Sequence, residues 1–229
     1  MLVKGGGTMT ICHFKDFIDA LLQTGFTPLG SGEGIFSLSS RYGEQIIPHT
    51  EKPDTDPWEW RMRVLEERND IAYGKVFYRK GGLITRQWYP YFLAARRGGM
   101  TFEDAYSDGT IGYFEKRVYE VIRAQACVPL PIIKQLGRFS REDTSRFDRA
   151  LIELQMRMYV TICGRQFINE TRTGWSSTVL CTVENFFDTE VFDKADQIGR
   201  EEAVEEITGH IYTLNPHADR KRVQKLILG

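Results

Sequence analysis

The sequence predicts an α+β fold, mostly helical, and three neighbouring observations carry that expectation. Residues 111–125 place Phe114, Val118, Val121 and Ile122 at the spacing of a helix with one apolar stripe. Cys127-Val128-Pro129-Leu130-Pro131 then breaks that helix, because proline lacks a donor and pushes the residue before it extended. Residues 131–136 fit a short second helix closed by Gly137. A third starts near Thr144-Ser145 and buries Phe147, Leu151, Leu154 and Met158, with Ser145 and Asp148 spaced as a capping box. Finally, Tyr159-Val160-Thr161-Ile162-Cys163 and residues 175–183 read as strands on either side of a polar loop, 164–174. Three helices followed by a two-stranded wing make a winged helix-turn-helix over residues 111–184.

The flanks read as an N-terminal helical region with a small strand element, residues 10–110, and a C-terminal helical extension, residues 185–229. Residues 10–24 carry Phe14, Phe17, Ile18, Leu21 and Leu22 on a helix stopped by Gly25. Residues 26–43 are rich in Gly and Ser. Gly30-Ser31-Gly32-Glu33-Gly34 lacks the Lys-Ser/Thr and the β-α-β setting of a phosphate loop, so a flexible connection or lid is expected and no cofactor. Asp56 stands where a helix N-cap belongs, with Pro57 at the first helical position and Glu59 completing a capping box; that helix runs to about Glu67. Residues 70–79 read as a strand turned by Lys80-Gly81-Gly82. Helices follow over 86–97, with Pro90 in its first turns, and 101–108. Phe186, Phe187, Val191 and Phe192 form an apolar linker, and helices over 199–212 and 218–228 close the chain around Pro216.

At 229 residues, with 41% hydrophobic and 27% charged residues, the composition is that of an ordinary soluble protein. No apolar run approaches the ~20 residues of a membrane span. Residues 1–10 carry Lys4 and glycines without an apolar stretch, so no signal peptide is read there, and a cytoplasmic protein without a membrane partner is expected. Cys12, Cys127, Cys163 and Cys181 form no C-x-x-C pair. They read as reduced core thiols rather than a metal site, with Cys163 and Cys181 as neighbours in the two wing strands.

Residues 111–184 hold 11 Lys/Arg against 8 Asp/Glu, a net of +3, while the whole chain is −1. That asymmetry has the sign a nucleic-acid surface needs. Arg146, Arg149 and Arg157 on the third helix would meet a groove, and Arg165 and Arg172 in the wing would meet the phosphates. In the N-terminal region, Trp58, Trp60 and Trp88 with His49 are candidates for a base pocket. Asp54 and Asp56 are candidates to position water or stabilise a sugar cation beside it, with His49 as a third catalytic candidate. The plainer reading is an aromatic core beside a capped helix, and arginines that are merely solvated.

Asp56-Pro57-Trp58-Glu59-Trp60-Arg61, Ile71-Ala72-Tyr73-Gly74-Lys75, Lys80-Gly81-Gly82, Ser145-Arg146-Phe147-Asp148 and Tyr159-Val160-Thr161-Ile162-Cys163-Gly164 resemble the AlkZ-related proteins, as does Gly174-Trp175-Ser176. The resemblance runs from about residue 13 to 212. It implies a winged-helix fold and an association with DNA, since this family is named for likeness to the AlkZ DNA glycosylases, which excise alkylated bases and unhook crosslinks. The Gln-apolar-Gln motif that positions water in those enzymes is not found. The nearest string is Gln155-Met156-Arg157, and arginine cannot accept a proton from water. The expectation is therefore a DNA-binding protein linked to repair. The alternatives are a glycosylase acting on alkylated or crosslinked bases, and a non-enzymatic interaction or ligand-sensing module with an apolar patch at residues 186–192.

Overall fold

A computed structural model describes residues 9–50, 52–167 and 176–229. The protein is mixed α+β, about 52% helical, with one six-stranded antiparallel sheet. The first helix, α1 (Phe14–Thr24), ends at Gly25, whose φ of 81° lies in the left-handed region, and β1 (Phe26–Pro28) follows. Next come α2 (Pro57–Glu67), the hairpin of β2 (Ile71–Phe77) and β3 (Lys80–Thr85), then α3 (Tyr89–Arg97) and α4 (Phe102–Ser107). The middle of the chain forms α5 (Tyr113–Arg123), β4 (Val128–Pro129), α6 (Leu130–Leu136), α7 (Thr144–Met156), β5 (Val160–Phe167) and β6 (Ser176–Thr182). Four helices close it: α8 (Val183–Phe186), α9 (Thr189–Asp196), α10 (Arg200–Leu214) and α11 (Arg220–Leu228).

The strand order is β1-β3-β2-β5-β6-β4. The N-terminal hairpin and the later β5–β6 pair are thus one sheet. They join where Tyr73 pairs with Ile162, and the Thr161 hydroxyl adds a 3.1 Å bond to the Tyr73 carbonyl. Side chains alternate across strands, so this sheet has two faces to bury. Ile71, Tyr73, Leu83, Val160, Ile162 and Leu180 face a core built with α1, α2 and α4–α7. Phe26, Ala72, Val76 and Ile84 face a second core built with α3 and α8–α11. Because both faces are covered, β2 is apolar at almost every position, which is why its alternation is uneven in the sequence. Each core takes residues from widely separated parts of the chain.

Several local expectations are corrected. The β2–β3 turn lies at Tyr78-Arg79, not at Lys80-Gly81-Gly82, and β3 occupies those three residues and the next three. Both turn residues have positive φ, 52° and 62°, as a two-residue hairpin of matching twist requires, although neither is glycine. The Gly/Ser-rich stretch is not a loose lid. Its Glu33 carboxylate pairs with Lys80, and its Ser37 hydroxyl donates to the Pro28 carbonyl at 3.0 Å. The capping box of Ser145 and Asp148 does not form. The helix starts at Thr144 and its cap position is Asp143, two residues before Ser145; the Asp143 carboxylate accepts from the Ser140 amide and hydroxyl instead. Nor does Glu59 complete a box with Asp56; its carboxylate pairs with Arg165. The apolar linker runs into the first turn of α9, and its Phe187 and Val191 are buried in the second core, so the patch expected at residues 186–192 is not an exposed one. No helix among the described residues is long and apolar enough to cross a membrane.

Candidate nucleic-acid interface

Helix α7 is divided along its length. Its second half lies against β2, with Leu154, Gln155 and Met156 buried. In its first half, Ser145, Arg146, Asp148 and Arg149 are exposed, while Phe147 and Ala150 turn inward. Arg146 and Arg149 share an open cleft of about 400 Å³ with Tyr113, Phe114, Glu115 and Arg117 of α5. Among the described residues neither Arg146 nor Arg149 is in an ion pair. The Arg146 guanidinium lies 5.2 Å over the Phe114 ring, and Arg117 lies 4.9 Å over Phe139 while donating to the Gly137 carbonyl at 3.1 Å. Tyr113 is 68% exposed at the rim. The result is two free guanidinium groups, a third steadied beside them, and an aromatic edge. Glu115 lines the same cleft, and the Asp143 carboxyl is held below the usual range by the Ser140 amide and hydroxyl, with weaker help from Arg117 and Arg146. The sequence pointed to Arg146 and Arg149 but not to Arg117 and Tyr113. Their only sequence signal is their position on the polar side of the α5 stripe.

The other arginines expected at the interface are engaged elsewhere. Arg157 pairs with Glu153 at 3.1 Å, and Glu153 is also met by Arg79. Arg165 bonds Glu59 at 2.6 Å and Glu66 at 2.9 Å, and its side chain is only 16% exposed. Two carboxylates of α2 thus neutralise it and fasten β5 to that helix. Arg172 lies outside the described residues.

The tryptophans expected to line one base pocket occupy three environments. Trp60 is 1% exposed, packed on Phe14, Phe17 and Tyr42 in the first core, with its indole N–H donating to the Pro53 carbonyl at 3.1 Å. That bond satisfies the only polar atom it buries. Trp88 packs in the second core, stacked 4.2 Å from the His210 ring and resting on Gly25, where a Cβ would meet the indole at 2.1 Å. Trp58 alone is at the surface, 46% exposed, beside the His49 ring at 4.6 Å and under the Arg61 guanidinium at 3.4 Å.

The carboxylates beside them separate as well. Asp56 is 1% exposed and accepts from the Trp58 amide at 2.8 Å, the Thr50 amide at 2.8 Å and the His49 amide at 3.1 Å. It caps α2 and holds the preceding loop on it, which fixes His49 at a φ of 60°. Asp54 is exposed and lies between Arg63 at 3.2 Å and His13 at 3.1 Å. Gln155, the first residue of the nearest glycosylase-like string, is also committed. Its carbonyl accepts from the Lys75 amide at 2.9 Å and its amide donates to Leu151 at 3.0 Å, stitching α7 to β2. Gln155→Leu keeps the volume and removes both bonds, and is expected to cost about 1–2 kcal/mol in thermal or urea unfolding. A loss below about 0.5 kcal/mol would show that the stitch contributes nothing net.

Fold and site together define a mixed α+β protein whose middle segment presents an unpaired arginine corner. The chain belongs to the AlkZ-related family, whose model matches residues 11–228, nearly its whole length. No curated protein and no solved structure matches it.

Proposed function

We propose that this protein binds duplex DNA through the exposed first half of α7 and the adjoining face of α5, in a role linked to DNA repair. The observation that carries the reading is the Arg146–Arg149 pair, in no ion pair among the described residues, at the start of a helix and beside Arg117. The order of elements supports it. A helix, a short strand, two helices and a strand pair, with β4 and β5 on either side of β6, is the order that a winged-helix reading calls for. Such folds place the first residues of the recognition helix against the base edges. Membership of the AlkZ-related family supports the link to repair. With Arg157 and Arg165 paired internally, the contact is confined to one end of α7 and is expected to be carried mainly by phosphates. It should therefore be salt-dependent and tolerant of sequence.

The test is fluorescence anisotropy with a labelled duplex between about 50 and 200 mM salt. Affinity should fall steeply with salt. Arg146→Ala with Arg149→Ala should weaken binding about tenfold on any sequence and flatten the salt slope by about two charges. Both side chains are exposed, so the melting temperature should stay where it is. Unchanged affinity in the double variant, or no binding at low salt, overturns the reading. No observation favours base release. Trp60 and Trp88 lie in two different cores, away from the group of His49, Trp58 and Asp56, whose carboxylate is taken up by three backbone amides, and Gln155 is bound on both sides.

A further inference from the structure

Three of the four cysteines meet at one point. Cys127 directly precedes β4, Cys163 sits where the register of β5 shifts between Ile162 and Gly164, and Cys181 is in β6. Val128 pairs with Leu180, so the antiparallel register sets Cys127 beside Cys181. Thr161 pairs with Cys181, and the extra residue in β5 brings Cys163 to the same face. Their sulfurs all lie within 4.8 Å of one another, with Cys127 and Cys163 3.3 Å apart. Cys181 is fully buried, Cys163 partly, and Cys127 is at the surface, so the cluster opens on one side to solvent. No spacing rule finds it, because 36 residues separate Cys127 from Cys163 and the two wing cysteines lie on different strands.

We infer that these three thiols form a binding site for a thiophilic d10 cation, such as zinc or monovalent copper, held by three sulfurs with the fourth position open to solvent. Metal–sulfur bonds of about 2.3 Å around one ion place the sulfurs about 4 Å apart, a spacing within reach of sulfurs that all lie within 4.8 Å of one another, the nearest pair given being 3.3 Å. Thiolate sulfur selects soft d10 ions over magnesium or calcium. Among the described residues no histidine or carboxylate joins the group, so the donor set is sulfur alone. A disulfide uses two sulfurs and leaves the third without a role; the convergence of all three favours an ion. On binding, each thiol gives its proton to solvent and each sulfur donates one lone pair. The ion would tie β4 and β5 to β6, which lies between them in the sheet.

The reading does not depend on DNA binding, and its test needs no nucleic acid. Reduced, metal-free protein is titrated with cadmium ion while sulfur-to-cadmium charge-transfer absorption and melting temperature are followed. One equivalent should develop the band and raise the melting temperature. Zinc should compete for the same equivalent. Cys12→Ser should change neither result, whereas Cys127→Ser, at an exposed position and therefore well folded, should lower affinity at least a hundredfold. Absence of the band at one equivalent overturns the site, as does a band of full strength in Cys127→Ser. Thiol titration after mild oxidation is the second readout: loss of two free thiols from a protein that takes up no cadmium would replace the ion with a disulfide.

Discussion

Replacing Arg96 with methionine is expected to destabilise the protein by about 4 kcal/mol, the largest loss expected from any single substitution described above. Its guanidinium donates to four carbonyls: Ile227 at 2.8 Å, Met156 at 2.7 Å, Val76 at 2.8 Å and Leu226 at 2.7 Å. Two of these are in the last turn of α11, and one ends α7. Carbonyls at a helix C-terminus have no partner in the helix and carry the negative end of its dipole. One planar cation on α3 thus closes two helices and fastens both to β2. Methionine keeps much of the stem but leaves four acceptors without a donor, and each buried acceptor left unpaired costs about 1–3 kcal/mol before water intervenes. A neighbouring cleft of about 290 Å³ admits some water, which keeps the total below the sum. Lysine restores the charge but not the fork, so Arg96→Lys should lose about half as much. Burial pushes the guanidinium down to about 10. Folded and unfolded chains both hold the proton below that value, so this contribution should not vary with pH in the neutral range. The check is urea unfolding: the midpoint should fall with an unchanged slope. A loss of less than about 1 kcal/mol for Arg96→Met would mean that water replaces the guanidinium fully.

Asp56→Ala is expected to cost about 3 kcal/mol. Loss of an N-cap acceptor alone costs about 1 kcal/mol, reaching about 2 in strong cases. Here the same carboxylate also receives the His49 and Thr50 amides, so its removal orphans two further donors beneath a loop. His49 would then lose what holds its positive φ, a conformation that costs a non-glycine residue about 1 kcal/mol or more. Asp56→Asn keeps one acceptor oxygen but turns an NH2 group toward a backbone donor, so it should fall between wild type and alanine. If either variant abolished DNA binding well below its melting temperature, Asp56 would be a functional residue. If only the melting temperature moves, it is a cap, as its saturated oxygens and burial indicate.

The helices were legible because each carries its own period and stop. The apolar stripe of α5 and the Pro129–Pro131 break are local facts, and so is the Asp56–Pro57 start of α2. Legibility failed where a residue's partner lies far along the chain. Phe187 and Val191 look like a linker until α3 covers them. Glu59 looks like half of a capping box until Arg165, 106 residues away, takes its carboxylate. Trp58, Trp60 and Trp88 look like one aromatic set. Only packing assigns one to each core and one to the surface.

The sequence by itself determined the α+β class, the three helices and the later two strands of the middle segment, and family membership, because periodicity, breakers and turn residues are properties of neighbouring residues. Tertiary structure alone decided which arginines stay free, that two hairpins share one sheet, and that three distant cysteines converge. Those outcomes depend on burying both faces of the sheet at once, and nothing in a short window of sequence measures what lies across it.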